Sequence, residues 1–382
     1  MMKRIAIIGA GISGLFIANL LKKNPNYKIN IFEKNNSVDL DEGYGVQLSV
    51  NCIKLLNQIG FNKLDSKQIY NPDKINFYSS EKLDKICELD IANFNNKDSK
   101  YTTLKRSVLT SFLKKDLHQF IQTSHSVSNI NQCNKLIKVS FENNKTFECD
   151  CLIISDGVFS KSKSLILNNQ NNLKYSNLLA IRGLVKKNND NLYNKNISLF
   201  LGPNFHYVTY PTNSSGDINH IAITKYKLSI EEQKNYSLFR QDFFIEKVLN
   251  KIPPSYNKIF KNLEKMKIFP IFVSKKFYQS PYKNIHLIGD AFFAYPPSFA
   301  QGATQSIESA HELFKCIENN SEDKFFLNRV KKTKMINNRS KFNQFAFHLS
   351  NPLTVFFRNI FLKNLVKNSK FLESYLGKIY RN

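Results

Sequence analysis

The alternation of apolar and polar residues near the start of the chain predicts a strand–helix–strand unit. Lys3–Ile8 is an isoleucine-rich run of the kind that forms a buried parallel strand, and Lys28–Phe32 is a second such run. Between them, Leu15–Leu21 carries apolar residues at helical spacing directly after a glycine-containing turn. This order is typical of the βαβ unit that opens an α/β fold.

Further along the chain, the pattern predicts more strands and helices, then a sheet-rich region and a helical end. The predicted elements are a loop over 39–43, a helix that follows 45–48 and runs through 59, a helix over 106–120, a strand over 147–154, short β-like runs separated by turns over 176–275 with one helix near 237–249, a strand over 285–288, a helix over 302–317 and helices beyond 320.

These elements divide the chain into three predicted parts. The first is a Rossmann-like α/β part made of residues 1–75, 101–175 and 276–320. The second is an inserted β-sheet part made of 76–100 and 176–275, and the third is a helical C-terminal segment over 321–382.

The composition is that of a folded protein with a large excess of positive charge. Hydrophobic residues make up 42% of the 382 residues, which excludes a disordered chain. The formal charge of +25 comes from 55 Lys and Arg against 30 Asp and Glu, a balance that suggests nucleic acid or another anionic partner. The lysines are dispersed, however, and Lys, Asn, Ile and Phe are abundant together, as in low-GC coding sequences. We therefore predict no nucleic-acid partner.

The cysteines and the N-terminus indicate a protein of a reducing compartment. Six cysteines are scattered without any C-x-x-C pair, which fits neither a disulfide framework nor a metal site. Residues 1–20 resemble a signal peptide, but three glycines interrupt the apolar run and no clear cleavage site follows. No other stretch reaches the roughly 18 apolar residues of a spanning helix. The sequence thus predicts a soluble, cytoplasmic protein without a metal.

The glycine turn after the first strand predicts a dinucleotide site. Gly9 permits a tight turn, Gly11 lets a pyrophosphate approach the backbone, and Gly14 lets the helix pack closely on the strand. The N-terminus of the helix then offers unpaired N–H groups and a positive dipole to the phosphates. Glu33 ends the second strand, where an acid can accept the ribose hydroxyl protons. The bound nucleotide is therefore FAD or NAD.

Further segments follow the glycine turn in a fixed order and decide between these two nucleotides. They are GVQLSVN at 45–51, RSVL at 106–109, DCLIISDGVFS at 150–160, HLIGDA at 286–291 and PSFAQG at 297–302. Together with the turn, they span most of the first 320 residues and resemble the class A flavoprotein monooxygenases, relatives of para-hydroxybenzoate hydroxylase and salicylate hydroxylase. Two weaker segments, IRG at 181–183 and HYVTYP at 206–211, are similar to substrate-domain strands of the salicylate hydroxylase branch.

The resemblance implies the fold, the cofactors and the residues that bind them. The implied fold is a Rossmann-like FAD-binding domain of the para-hydroxybenzoate hydroxylase type with an inserted β-sheet substrate domain and a helical C-terminus. FAD would be bound, and NADH or NADPH would be a transient co-substrate. The implied FAD contacts are Gly9, Gly11, Ser13, Gly14, Glu33, Lys34, Gln47, Arg106, Asp156, Gly157, Gly289, Asp290, Ala300, Gln301, Gly302 and Ala303.

The resemblance also implies a reaction, the hydroxylation of a small phenolic or quinone-precursor-like substrate through a flavin C4a-hydroperoxide. The candidate catalytic residues are His206, Tyr210 and Pro297, and Gln47 and Phe293 are further candidates for the pocket. His206 could deprotonate a phenol, because an imidazole titrates near neutral pH. The alternatives to these catalytic roles are that His206 is a strand histidine with a structural partner and that Tyr210 is a residue of the core.

Several departures from the family pattern keep a second function open. Phe292 and Phe293 follow Ala291 where the family has Ala-His, and Ala300 replaces the first glycine of the G-Q-G turn. No Trp precedes Arg182, and Lys163 stands where Arg is common. These changes lie near the implied flavin ring and pocket, so a divergent non-hydroxylating flavoenzyme, such as an oxidase, halogenase or reductase, is the alternative.

The C-terminal segment is rich in phenylalanine and lysine. Phe356, Phe357 and Phe361 stand among cations that include Arg358 and Lys363. The pattern favours a terminal helix that packs its apolar side on the FAD-binding part and exposes a basic face. The alternative is an amphipathic helix in peripheral contact with an anionic membrane, which would suit a lipophilic substrate. A monomer and a homodimer both remain open.

Overall fold

The computed structural model describes residues 2–38, 44–133, 136–168, 172–186, 195–261 and 263–381. The predicted loop over 39–43 lies outside the described residues. The strands are β1 Lys3–Ile8, β2 Tyr27–Phe32, β3 Gly45–Leu48, β4 Ile69–Tyr70, β5 Lys74–Ser79, β6 Lys85–Asp90, β7 Thr102–Lys105, β8 Ile121–Gln122, β9 Val127–Cys133, β10 Leu136–Phe141, β11 Thr146–Cys149, β12 Cys151–Ile154, β13 Leu173–Val185, β14 Ile197–Gly202, β15 Phe205–Pro211, β16 Ile218–Lys225, β17 Glu264–Ser274 and β18 Ile285–Leu287. The helices are α1 Ile12–Leu21, α2 Val50–Asn57, α3 Arg106–Lys114, α4 Lys161–Ile166, α5 Ile230–Lys234, α6 Asp242–Leu249, α7 Pro254–Lys261, α8 Gly289–Phe292, α9 Gly302–Glu318, α10 Glu322–Phe347, α11 Pro352–Leu365, α12 Ser369–Leu372 and α13 Lys378–Tyr380.

A five-stranded parallel sheet, in the order β18-β12-β1-β2-β8, forms the centre of the first part of the molecule. Both of its faces are covered, which is why residues 5–8 of β1 and all of β12 are apolar and buried. Ile5 and Ile7 face a helical layer that includes α1 and α9, whereas Ala6 and Ile8 face the other side. That side packs on a three-stranded antiparallel sheet of β9, β10 and β11. The carboxyl ends of the parallel strands remain available for a site.

The single strand predicted over 147–154 is wrong, because the structure divides it at Asp150. β11 pairs antiparallel with β10, whereas β12 pairs parallel with β1 and β18. The Asp150 carboxylate accepts a hydrogen bond from the backbone N–H of Arg4 at 2.8 Å, and the Asp150 N–H donates to the Arg4 carbonyl at 2.9 Å. These bonds fix the point at which the chain passes from one sheet to the other.

Two helix predictions also change in extent. The helix predicted over 106–120 ends at Lys114, because the chain must become extended again to pair β8 with β2. The helix predicted near 237–249 begins at Asp242, and the short helices α5 and α7 flank it. The remaining strands and helices occur close to their predicted positions.

A seven-stranded sheet, in the order β17-β13-β16-β15-β14-β5-β6, forms the second part of the molecule. One face packs on α6 and α7 through an aromatic core that includes Phe200 and Tyr207. The opposite face carries Leu199, Val208 and Tyr210 and belongs to a cluster with residues of α2 and α10. We call this opposite face the inner face of the large sheet. The boundaries predicted for the two domains stay a prediction.

Candidate active site

Four loops with predicted cofactor residues meet at one edge of the parallel sheet. The glycine turn follows β1, Glu33 follows β2, Asp156 and Gly157 lie just beyond β12, and Asp290 lies just beyond β18. Because β18, β12, β1 and β2 are parallel neighbours, their carboxyl ends lie side by side. The fold therefore brings together residues that are separated by up to 281 positions in the sequence.

The glycine turn is held by close packing between its own backbone and the loop after β12. Gly9 has a φ of +98°, and a Cβ there would lie 2.7 Å from the carbonyl oxygen of Ser155. A Cβ on Gly14 would lie 2.1 Å from the carbonyl oxygen of Gly9. The Ser155 hydroxyl lies within hydrogen-bond distance of the Ile8 and Gly9 carbonyl oxygens, at 2.8 and 2.9 Å. Glycine is thus required at both positions for packing.

Three other glycines of the predicted motifs border open space instead. A Cβ on Gly11 would have its nearest neighbour at 4.0 Å, and a Cβ on Gly157 or Gly302 would meet no atom within 4 Å. Gly60 and Gly216 have equally open surroundings in turns elsewhere. Bare backbone at Gly11, Gly157 and Gly302 leaves room for a ligand to approach the main chain closely.

Glu33 is fixed at the rim of this edge by two backbone groups. Its Oε2 accepts a hydrogen bond from the N–H of Ala10 at 2.9 Å, and its Oε1 accepts one from the N–H of Asn35 at 3.0 Å. Each carboxylate oxygen retains a further acceptor site. The next residue, Lys34, is exposed. Glu33 can therefore accept hydrogen bonds from the hydroxyl groups of a ribose placed beside the glycine turn.

Asp290 lies at the point where α1, α8 and α9 come closest. Gly289 has a φ of +60°, its N–H donates to Ser309 Oγ at 2.9 Å, and a Cβ there would lie 2.6 Å from Ser13 Oγ. The Asp290 side chain is exposed to solvent at the carboxyl-end edge of the parallel sheet, and we call the region along this edge the cleft. Desolvation by the surrounding protein raises the pKa of Asp290 to about 6, and the nearby Arg106 opposes this rise. Asp290 is thus a hydrogen-bonding group whose protonation depends on what fills the cleft.

The turn at 297–302 leads directly into the N-terminus of α9. Pro297–Phe299 forms a 3-10 turn, the N–H of Ala300 donates to the Pro297 carbonyl at 2.9 Å, and α9 begins at Gly302. Gln301 is buried, and in the described part of the chain its Nε2 has no hydrogen-bond partner. The first turn of α9, which includes Ala303, presents its backbone N–H groups and the positive end of the helix dipole to the cleft.

Ala300 adopts a left-handed conformation with φ 51° and ψ 34°, which costs a residue with a Cβ more than glycine. We expect Ala300→Gly to raise the free energy of unfolding by up to about 1 kcal/mol in urea titrations of the FAD-free protein. Ala303→Gly is the matched control, because the same substitution inside the first turn of α9 should lower it by about 0.5–1 kcal/mol. Equal changes at both positions would contradict the assignment of strain to Ala300.

A buried polar cluster joins the cleft to the inner face of the large sheet. The Tyr101 hydroxyl donates to Gln47 Oε1 at 2.8 Å. Arg182 donates through Nη2 to the Gly45 carbonyl at 2.8 Å, and its guanidinium lies 5.1 Å from the ring centroid of Tyr44. Arg182 and Gln47 also lie beside the Tyr210 hydroxyl. Burial raises the pKa of Tyr210 to about 12, so this hydroxyl keeps its proton at neutral pH.

His206 and Phe293 have structural partners. Nδ1 of His206 lies 2.7 Å from Nε2 of His348, and both imidazoles are buried. The pKa of His206 is far below the usual value because of burial and the neighbouring imidazole. Phe293 stacks on Phe277 with a centroid distance of 4.2 Å. The structure thus supports the structural alternative for His206 more than the general base, while Pro297 is exposed in its turn.

Comparisons with known proteins agree with this architecture. The family model of the NAD(P)-binding Rossmann-like domain matches residues 7–39. HpxO of Klebsiella pneumoniae, solved with FAD and uric acid, superposes with a TM-score of 0.80 at 15% identity over 98% of this chain and 97% of that chain. A salicylate hydroxylase substrate complex superposes with a TM-score of 0.78 at 17% identity over 100% and 96%. The chain has the class A flavoprotein hydroxylase fold.

A sequence relative of known activity matches part of this hydroxylase fold. The 6-hydroxynicotinate 3-monooxygenase of Pseudomonas fluorescens is 24% identical over 184 residues, or 47% of each protein. The match thus spans about half the length of that relative. The predicted resemblance and fold class are confirmed, and the solved HpxO complex shows this fold with FAD.

Sequence reasoning missed part of the site in this hydroxylase fold. Tyr101 and Asn219 were not among the candidates, although Tyr101 contacts Gln47 and the Asn219 Oδ1 accepts a hydrogen bond from the Gly45 N–H at 2.7 Å. Neither residue belongs to a motif with a recognisable spacing. What marks these two residues is their position at the starts of β7 and β16, which the tertiary fold brings close to β3.

Proposed function

We propose that this protein is an FAD-dependent monooxygenase that uses NAD(P)H and O₂ to hydroxylate a small aromatic substrate, phenolic or quinone-precursor-like. The observation that carries the proposal is that the edge of the parallel sheet adjoins the inner face of the large sheet. Bare backbone at Gly11, Gly157 and Gly302 borders the edge of the parallel sheet, and the cluster around Gln47 connects this edge to the inner face of the large sheet. A flavin bound along the first surface would have its ring end at the second.

The residues at the sheet edge fit FAD in both geometry and chemistry. The N-terminus of α1 would receive the pyrophosphate at Gly11, and Glu33 would accept hydrogen bonds from the adenosine ribose. Asp290 would accept hydrogen bonds from the ribityl chain, and the N-terminus of α9 at Gly302 would stabilise negative charge on the ring. When bound, FAD supplies hydride acceptance from NAD(P)H and activation of O₂.

The inner face of the large sheet fits a flat, largely apolar substrate with an acidic hydroxyl. Val208, Ile221 and Phe269 are only partly buried on this face, so they offer apolar contact area. The positive charge of Arg182 favours an anionic or polarised oxygen, and the protonated Tyr210 hydroxyl can donate a hydrogen bond. These groups would orient the ring and exclude water. Roles for His206 and Pro297 remain further proposals.

Oxygen transfer is the measurement that tests the proposal. The FAD-loaded protein is mixed with NADH or NADPH and a panel of phenols, hydroxybenzoates and quinone precursors under ¹⁸O₂. We expect one compound to accelerate NAD(P)H oxidation and to gain a single ¹⁸O atom by mass spectrometry. Hydrogen peroxide in amounts equal to the NAD(P)H consumed, without labelled product from any compound, would favour the alternative of an oxidase. Failure to bind FAD would refute the proposal entirely.

A further inference from the structure

Helix α11 presents an apolar stripe to solvent. Leu353, Phe356, Phe357, Ile360 and Phe361 are separated by the three and four residues that place side chains on one face of a helix. Their exposed fractions are 64%, 59%, 59%, 42% and 55%. We call these five residues the outer face of α11. Contiguous exposed apolar surface of this kind marks a site of contact with a partner or a membrane.

The opposite side of α11 holds the helix in this orientation. Arg358 points inward with only 7% exposure and donates from Nη1 to the Ala346 carbonyl at 3.4 Å. Leu362 packs against the apolar cluster of the inner face of the large sheet. The Asn351 side chain caps the helix by accepting from the N–H of Leu353 at 3.0 Å. The predicted inward packing of the apolar side is thus wrong for α11, and Arg358 is buried, whereas Lys363 lies in solvent as predicted.

The surroundings of the outer face are positively charged. Residues 324–372 contain eleven Lys and Arg residues and no Asp or Glu. Lys363, Lys367 and Lys370 are exposed at and beyond the C-terminal end of α11, and the exposed rings of Phe342 and Phe345 precede it on α10. Long cationic side chains beside an apolar stripe can reach lipid phosphates while the stripe enters the acyl region.

We propose that the outer face of α11 docks on an anionic lipid surface, a property beyond the proposed catalytic function. Charge decides between this occupant and a second copy of the chain. A second copy would bring another molecule with a formal charge of +25 to the same basic surface, whereas anionic headgroups complement that charge. None of the described helices is long and apolar enough to cross a membrane, so the contact is peripheral.

The test is co-sedimentation of the full-length, FAD-loaded protein with vesicles. We expect binding to phosphatidylcholine vesicles that contain about one third phosphatidylglycerol, and weak binding to pure phosphatidylcholine. Phe356→Ser with Phe357→Ser should weaken binding at least about tenfold. The matched control is Ile230→Ser with Phe243→Ser, which replaces side chains of 72% and 62% exposure on α5 and α6 and should bind like the parent protein. Thermal unfolding checks that both variants fold.

A second variant tests the electrostatic half of the proposal. Replacing Lys363, Lys367 and Lys370 with Gln should weaken binding by about a hundredfold in low salt, since each lysine near an anionic surface contributes roughly fivefold. The proposal is overturned by any of three results. The first is the absence of binding to anionic vesicles. The second is a loss of vesicle binding in the Ile230 and Phe243 control variant that equals the loss in the Phe356 and Phe357 variant. The third is a dimer, seen by sedimentation velocity, that the Phe356 and Phe357 substitutions abolish, in a protein that does not bind vesicles.

Discussion

Gly14→Ala is expected to destabilise the FAD-free protein by about 3 kcal/mol and to abolish FAD binding. The added Cβ would lie 2.1 Å from the Gly9 carbonyl oxygen and 2.6 Å from Ser155 Oγ. The backbone atom cannot move away, because the Gly9 N–H donates to the Phe32 carbonyl at 2.8 Å and the Ser155 hydroxyl contacts the same turn. Relief of the overlap therefore requires α1 to move off the parallel sheet. Urea unfolding and FAD fluorescence titration measure the two effects.

Gly11→Ala separates packing from ligand approach in the same turn. Gly11 has an ordinary extended backbone, and its Cβ would have no neighbour closer than 4.0 Å. The stability of the FAD-free protein should therefore change by less than about 1 kcal/mol. FAD affinity should fall by about one to two orders of magnitude, because the Cβ would occupy the space proposed for the pyrophosphate beside the backbone. Unchanged affinity in Gly11→Ala would place the nucleotide elsewhere, and parent-like stability in Gly14→Ala would contradict the close packing.

The protein is also expected to lose stability as the pH falls from about 6.5 toward 5. Four buried imidazoles have depressed pKa values because burial disfavours their charged form. Those of His220, His286 and His348 are about 4, and that of His206 lies well below the usual value. A group whose pKa is lower in the folded state stabilises fully above its unfolded pKa, about 6.5 for histidine. That stability is lost as the pH falls from about 6.5 toward the pKa of the folded state.

The size of this acid effect follows from the same values. His220, His286 and His348 should each cost about 2 kcal/mol of folding stability at pH 5, and His206 acts in the same direction. Asp290, whose pKa is raised to about 6, acts in the opposite direction, but its side chain is exposed and solvent screening reduces its contribution. The measurement is the urea midpoint of the FAD-free protein from about pH 8 to pH 5. His118→Gln, at an exposed position, is the control and should leave the profile unchanged. A flat profile would show that the buried imidazoles accept protons without cost.

The sequence alone was sufficient for the features that depend on contiguous residues. The strand Lys3–Ile8, the turn from Gly9 to Gly14 and the placement of Glu33 all occur as predicted, because a βαβ unit is specified by local periodicity and by glycines with distinct steric tasks. The order of the later motifs implied the same fold, and the fold is confirmed. Three of these motifs, at β1, β12 and β18, are strands of the parallel sheet followed by turns at its carboxyl edge.

Contacts between distant segments were decided by the tertiary structure. Asp150 separates β11 from β12 because its partner Arg4 lies in a different part of the chain, and periodicity cannot show which sheet a strand joins. Tyr101 and Asn219 reach the candidate site for the same reason. Helix α11 shows the principle most clearly. Its amphipathic pattern was visible in the sequence, but only its neighbours decided that Arg358 is buried and that Phe356 and Phe357 face outward. A periodic pattern defines the two faces of a helix, whereas the surfaces available for packing determine which face is buried.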